Sequence, residues 1–500
     1  MNDYCVIGSG PSAVAAAMAL MRRGLRVTML DAGRTIEPAR GAIVDRMRGH
    51  SPEQWSAGDL VSIKEGVEPS ASGIPLKRLY GSPFPFEEGG AGFVTEAHDA
   101  GVRASFAQGG LSNVWGAGTM RWHRDDIADW PIDADDLEPG YRGVLSFVGD
   151  LDAMPPSRQG AAFLRDAERS SAALAKAGIS VERSHLAVQG KQCVRCGLCL
   201  YGCPYELIYN SAYTLRELLT MPGFRYEPGI AVDRLIENNG RVRIVGRDMK
   251  TQALRETEAG RVLLGAGVIP STAIVLGSLG DLDRQFRLQD SFYFLVPLVR
   301  FAATPRLERE RLHTLAQAFV LMRDRESIHF SVYGYNDLMR PSLRAAGGLA
   351  GAALASRMLV CGGYLHSRVS PGLRMTVRAG MEGRGYRILL TGEDSREAKQ
   401  IARRAAWRLT RQSARLRAVC VAPAIRFPPP GRGFHSGGSF PMRRDRVSHT
   451  SDIEGRPFGF DRVHLIDASC LPSIPATTIT LPVMANAWRI ANLAADRGVA

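Results

Sequence analysis

No uninterrupted apolar run in this chain approaches the roughly 20 residues that a helix needs to cross a bilayer, so the sequence predicts no transmembrane segment. The small-residue stretch from Ala345 to Ser356 is short and flanked by Arg344 and Arg357, and it reads as a buried or closely packed segment. Met1 to Tyr4 has no basic region leading into an apolar one, and a glycine-rich turn already begins at Gly8, so no secretory leader is expected. The expectation is a cytoplasmic protein, in which thiols stay reduced. Zinc-finger, RRM and helix-turn-helix patterns are also missing. The net charge of +13, from 63 Lys and Arg against 50 Asp and Glu, therefore does not point to nucleic acid. An anionic small molecule or an acidic redox partner remains. Part of that charge falls on a helix expected over Ser395 to Arg417, where Arg404, Arg408, Arg411 and Arg415 share one face, read as a solvated basic face with docking of an acidic electron carrier as the alternative, and Ala402, Ala405 and Leu409 another.

Cysteine is scarce but clustered. Four of the eight, Cys193, Cys196, Cys199 and Cys203, fall within eleven residues and are followed by Pro204. This is the C-x2-C-x2-C-x3-C-P spacing of bacterial ferredoxins, and thiolates are soft ligands suited to iron–sulfur clusters or zinc. Structural zinc more often uses two separated C-x2-C knuckles, so the run favours a cluster with zinc as the competitor. Only one such run exists, so either Cys203 or a remote cysteine completes a [4Fe-4S] cluster, or the site holds three irons. Cys5, Cys361, Cys420 and Cys470 are scattered and read as buried, unreactive thiols.

Five hundred residues suggest two or three folding units or one discontinuous fold. The first is legible at once. Tyr4 to Ile7 can form a central strand, Gly8, Gly10 and Ala13 supply a G-x-G-x-x-A turn, Ser12 to Arg23 reads as a helix, and a strand from Arg26 to Leu30 ends at Asp31. In such a unit the glycines allow a tight turn and close approach of a pyrophosphate. The helix N-terminus faces the phosphates, and the acid meets a ribose. The unit alone does not separate FAD from NAD. Near the other end, Arg462 to Ser469 reads as a strand ending in Asp467-Ala468-Ser469, followed by a Pro-rich turn and a helix from Pro482 to Asp496.

Several segments together resemble the glucose–methanol–choline (GMC) oxidoreductases. VIGSGPSAVAAAMALMRRGLRVTMLDAG is similar to that family's FAD fingerprint, and GGLSNVWGAGTMRW, from Gly109, to its second glycine-rich loop. Trp130-Pro-Ile-Asp-Ala-Asp-Asp-Leu, RVLLGAGVIPSTAIVL from Arg261, and the C-terminal Phe434-His435-Ser-Gly-Gly-Ser439 with VHLIDASCLPSIPATTITLPVMANAWRIA complete the likeness. GLCLYGCPYELIYNSAYTL resembles an insert of a bacterial subgroup.

The resemblance implies an α/β fold: a discontinuous FAD-binding Rossmann-like domain of the two-dinucleotide-binding-domain type, an antiparallel-sheet (α+β) substrate domain, and a small cysteine-rich insert. The implied divisions are residues 1–150 (FAD-binding, with the loop 109–122), 151–185 (helical linker), 186–215 (iron–sulfur insert), 216–285 (FAD-binding), 286–430 (substrate domain) and 431–500 (FAD-binding, with the catalytic histidine). Gly8, Gly10, Pro11, Ser12, Ala13, Asp31, Gly109, Gly110, Ser112, Asn113, Val114, Trp115, Val232, Gly267, Asp467, Ala468 and Thr478 are implied FAD contacts.

His435 falls at the family's base position, and an imidazole is suited to taking a hydroxyl proton near neutral pH. A structural or flavin-contacting histidine is the alternative, and His366 and His98 read as structural. Thr478 occupies the second active-site position, normally His or Asn, and its hydroxyl can orient a substrate oxygen but not act as a base. The implied activity is an FAD-dependent dehydrogenase that oxidises an alcohol, a sugar or sugar-like hydroxyl, and passes single electrons through the cluster to a carrier protein. Two alternatives stay open: a flavin and iron–sulfur reductase fed by ferredoxin, and an electron-transfer or scaffold flavoprotein with a structural zinc knuckle.

Overall fold

The computed structural model describes residues 4–66, 76–149, 151, 154–339, 348–380 and 385–499. At its centre lies a five-stranded parallel sheet whose strands come from widely separated parts of the chain. Their order is Val463–Leu465, Arg261–Leu264, Tyr4–Ile7, Val27–Asp31 and Phe224–Pro228. Tyr4–Ile7 is buried along its whole length, as expected of a central parallel strand covered on both faces.

The first helix, Pro11–Arg22, starts on a proline, whose missing N–H costs nothing at that position. Its small side chains are almost all buried, which lets the C-terminal helix Thr480–Val499 lie close against it. A third helix, Glu138–Val148, packs on the same C-terminal helix through glycine: a Cβ on Gly143 would stand 2.5 Å from the Trp488 ring.

An antiparallel meander, Ile230–Asn238, Arg241–Asp248 and Leu254–Ala259, extends this domain. Two further sheets build the other half. One has six antiparallel strands in the order Ala418–Cys420, Tyr293–Arg300, Met358–Leu365, Ile328–Tyr333, Ala316–Met322 and Ile179–Arg183. The other joins Ser436–Gly437, Gln285–Asp290, Leu373–Ala379 and Tyr386–Gly392 to the early strand Phe93–His98, which pairs in parallel at the edge. The fold is thus α/β with a parallel nucleotide-type sheet and antiparallel sheets.

Three local expectations need correction. The basic helix is broken: Arg396–Arg411 and Ser413–Leu416 are separate, and Arg417 then turns with a positive φ of 47°. Ala402, Ala405 and Leu409 are buried and Arg404, Arg411 and Arg415 exposed, but Arg408 bends back to Asp324 and two backbone carbonyls. The segment expected as a helical linker also holds the strand Ile179–Arg183, which completes the six-stranded sheet. Within Ala345 to Ser356, residues 345–347 lie outside the described residues; the rest carries a helix, Gly348–Ala355, whose Ala353 is exposed.

The helix Arg158–Arg169 is tied to the six-stranded sheet by a buried ion pair. Arg300 donates to Asp166 at 2.7 Å, with the side chains 4% and 8% exposed. Removing one partner strands the other charge in a dry environment, so Asp166→Ala is expected to cost about 3–5 kcal/mol. A denaturant midpoint equal to that of the unmodified protein would contradict this.

Candidate active site

A cavity of about 760 Å³ opens between the carboxyl edge of the parallel sheet and one face of the six-stranded sheet. One half of it is built around the first turn. Gly8 has a φ of +98°, and a Cβ there would lie 2.6 Å from the Gly265 carbonyl oxygen, so only glycine fits. Gly10, by contrast, faces open space, and no side chain caps the helix that it begins. The unsatisfied N–H groups of that first turn therefore point towards the cavity, as an anion-binding helix start requires.

Asp31 ends the second strand and lines the same cavity. It accepts a hydrogen bond from Tyr226 Oη at 3.0 Å and another from Ser9 Oγ, while burial pushes its carboxyl up to about 6. Ser9 Oγ also accepts from the Gly109 amide at 2.9 Å, which docks the second glycine-rich loop onto the first. Within that loop Asn113 Nδ2 donates to the carbonyls of Gln108 and Gly110, and Asn210 Nδ2 donates to Asn113 Oδ1.

Gly8, Gly10, Pro11, Ser12, Gly110, Ser112, Val114, Trp115, Val232, Gly267, Asp467, Ala468 and Thr478 all line the cavity. Ala13, Gly109 and Asn113 stand behind that lining: Ala13 is buried in its helix, the Gly109 amide donates to Ser9 Oγ, and Asn113 Nδ2 donates within its own loop. The Asp467 carboxylate is filled by its own chain, accepting from the Gly267 amide, Ser271 Oγ and the Ser469 amide, so it closes the turns around the cavity.

The other half is roofed by the six-stranded sheet. Tyr293, Leu295 and Pro297, then Met358, Val360 and Tyr364, and finally Ser331 and Tyr333 alternate with residues of the opposite face. Tyr293 stands directly opposite Tyr364 in the ladder, and a Cβ on Gly362 would meet the Tyr293 ring at 3.0 Å, so the missing side chain makes room for that ring.

His435 lies against this roof, its imidazole stacked on Tyr364 with centroids 4.8 Å apart. The loop that carries it is clamped by the end of a neighbouring strand. Asp290 accepts from the Gly431 amide at 2.7 Å and from Ser436 Oγ at 2.8 Å, and the Ser291 amide donates to the His435 carbonyl at 2.9 Å. Phe434, just before it, holds a φ of +56°, unfavourable for a residue with a side chain. Burial pushes the His435 imidazole down to about 4, and neither its Nδ1 nor Thr478 Oγ1 meets a protein partner. An uncharged imidazole and a hydroxyl thus face one cavity, both with hydrogen-bonding capacity to spare.

His366 and His98 stand outside the cavity lining. The first is buried and accepts from the Arg368 amide, and the second sits on an edge strand. Residues that sequence reading missed include Tyr293, Tyr333, Tyr364, Asp290 and Lys77. The three tyrosines do alternate along their strands, but only the fold shows which face meets the cavity.

The cysteine run forms an irregular loop. Arg195, Gly197 and Gly202 have positive φ, and a Cβ on Gly202 would lie 2.5 Å from the Tyr80 ring. Backbone amides approach the sulfurs: Arg195 that of Cys193 at 3.4 Å, Leu198 that of Cys196, and Leu207 and Tyr205 that of Cys203. Burial first, then mutual repulsion among the four, pushes the Cys196 thiol up to about 12 and that of Cys203 up to about 11. Among the described residues, however, no three His, Cys, Asp or Glu side chains stand close enough together to cage a metal ion. The other four cysteines are buried.

No protein-family description matches the sequence, and no curated protein does. Among solved structures the chain is similar to pyridoxine 4-oxidase from Mesorbium loti, with 16% sequence identity, a TM-score of 0.59 and 99% of each chain covered. At that identity the likeness establishes the fold. Gly10→Val adds a side chain where none is obstructed, so the variant is expected to fold yet lose roughly tenfold or more in nucleotide affinity, because it blocks close backbone approach to a pyrophosphate. Cofactor released on denaturation, per chain, measures this; full occupancy would contradict it.

Proposed function

We propose that the chain is an FAD-dependent oxidoreductase of the GMC type that oxidises a hydroxyl group. The observation that carries this reading is the placing of the unpartnered His435 Nδ1 and Thr478 Oγ1 in the same cavity as the uncapped helix start at Gly10. Gly8, Gly10 and the first turn of the helix Pro11–Arg22 would hold the pyrophosphate, Asp31 the ribose, and the loop from Gly110 to Trp115 the ring system. Bound FAD would supply the hydride acceptor. His435 takes the hydroxyl proton, Thr478 orients the substrate oxygen, and Tyr364 fixes the plane of the imidazole. The roof of tyrosines suits a ring-shaped alcohol, sugar-like in size, laid flat against an aromatic face.

A neutral imidazole can serve as base. Because burial holds His435 at about 4, its proton-accepting form persists well below neutrality and is lost only as the pH falls through that value. The acid limb of kcat/KM is therefore expected near pH 4; a limb near 6.5 would contradict a buried base. His435→Ala is expected to slow anaerobic bleaching of the flavin by an alcohol by about 10²–10⁴-fold with flavin still bound. Undiminished bleaching would remove His435 from the mechanism.

Cys193, Cys196, Cys199 and Cys203 would be the residues to hold a [4Fe-4S] cluster, which would supply one-electron transfer towards a carrier protein. Support comes from the ferredoxin spacing and from the Arg195 amide directed at the Cys193 sulfur. Protein purified without oxygen is expected to contain about four iron and four acid-labile sulfide per chain. Zinc without sulfide would replace the relay with a structural knuckle.

A further inference from the structure

Charge is unevenly placed on the cavity wall. Among the described lining residues the acids are Asp31 and Asp467, both at the ends of the parallel strands and both filled by hydrogen bonds from the chain. Of the cations, Lys77 is taken up by the Trp115 carbonyl at 2.8 Å. The others border the wall that carries His435: Arg432, three residues before it, with Arg103 and Arg426.

Backbone contacts gather these three arginines. The Gly101 amide donates to the Pro430 carbonyl at 2.7 Å, and a Cβ on Gly101 would lie 2.8 Å from the Arg432 Cβ. The segments carrying Arg103 and Arg432 therefore run side by side. Arg426 exchanges backbone bonds of 2.8 and 2.9 Å with Leu295 of the roof. Two residues before Leu295 stands Tyr293, whose Cβ a side chain on Gly433 would meet at 3.1 Å. Arg103 and Arg426 are exposed and Arg432 half-buried, which places the group where the cavity meets solvent. The Arg432 guanidinium lies over the Phe434 ring, 5.5 Å from its centroid, and Phe434 stacks on Phe86 of the lining. Burial lowers the proton affinity of this guanidinium, and the charge of Arg103 opposes it further. Like charges gathered beside a partly dry wall are costly until an anion offsets them.

We infer that the substrate carries an anionic group, a carboxylate or a phosphate, which Arg432, Arg103 and Arg426 hold at the mouth while the hydroxyl to be oxidised reaches His435 and Thr478. This rests on the hydroxyl-oxidising reading above and gives it a substrate class. A guanidinium presents a planar fork of N–H donors that matches the oxygens of either anion. An anchor away from the reacting carbon also selects one hydroxyl, since a ring held at two points cannot turn a different one towards the base. The net charge of +13 draws the same class of molecule from a distance.

The test uses the full-length flavin-loaded protein without oxygen and three ring alcohols that differ in charge: glucose, glucuronate and glucose 6-phosphate. Calorimetry reads binding, and bleaching of the flavin reads turnover. One of the anionic sugars is expected to bind about tenfold or more tighter than glucose, and the better of the two distinguishes carboxylate from phosphate. Arg432→Gln is expected to weaken that sugar by about tenfold or more, with flavin content and the response to glucose unchanged. Arg432→Lys is expected to keep most of the affinity, and Arg426→Gln to act in the same direction as Arg432→Gln. Equal binding of the three sugars, an equal loss of all three in Arg432→Gln, or loss of flavin from both Arg432 variants would overturn the inference. Bleaching by glucose alone would overturn it and leave hydroxyl oxidation standing. Binding of an anionic sugar that depends on Arg432, with no bleaching by any of the three, supports the anion site and turns against the oxidation reading, which separates the two failures.

Discussion

The approach of the Gly8 turn to the Gly265 backbone is the contact on which the site depends. The Gly265 amide donates to the Ile7 carbonyl at 3.0 Å and the Gly8 amide to that of Leu30 at 2.8 Å, so three parallel strands end at one level. The strand ends thus form one rim, and the loops leaving them have only one side on which to gather. The uncapped helix start at Gly10, the acid at Asp31 and the closed turn at Asp467 follow from that geometry. Two of these segments lie more than four hundred residues apart in the chain, and the helix Thr480–Val499 brings the far one home by packing on Pro11–Arg22.

The opposite wall obeys a different rule. In the antiparallel sheet every second residue faces the cavity, so a strand such as Tyr293–Arg300 sends Tyr293, Leu295 and Pro297 one way and Phe294, Val296 and Leu298 towards the second core. His435 is added from outside this sheet, on a loop that the buried Asp290 clamps through the amide of Gly431 and the hydroxyl of Ser436. A buried carboxylate in that place must be fully hydrogen-bonded, and it is satisfied by the very loop it positions. Rigidity at the imidazole and burial of the acid are therefore the same fact.

The cysteine loop stands apart from both walls yet touches the cavity through Leu200. Its conformation relies on residues at positive φ, Gly197 and Gly202 among them, and on the close fit of Gly202 against Tyr80. That fit ties the loop to the segment 76–82, which in turn reaches Trp115. A short path of packed groups thus joins Gly202 and Cys203 to the loop that carries Trp115.

Much of this was legible before any coordinates. The order of strand, glycine turn, helix, strand and acid at the N-terminus is local, because each step needs only neighbouring residues, and its elements fall within a residue or so of expectation. The spacing of the cysteines and the place of His435 in a glycine-rich stretch could be read in the same way. The break at Gln412 could not: Arg408 leaves the helix face for Asp324, a partner 84 residues away, and Arg417 turns with positive φ. Nor could the strand Ile179–Arg183, which exists because Ala316–Met322 offers it an edge. The sequence by itself determined the strand–turn–helix–strand unit at the N-terminus and the candidate side chains, since short-range periodicity and glycine placement encode them. Only the tertiary structure decided which tyrosines face the cavity, that Asp290 holds the histidine loop, and that Lys77 donates to the Trp115 carbonyl at the cavity wall. Those relations join residues distant in the chain, and pairing between distant strands sets them.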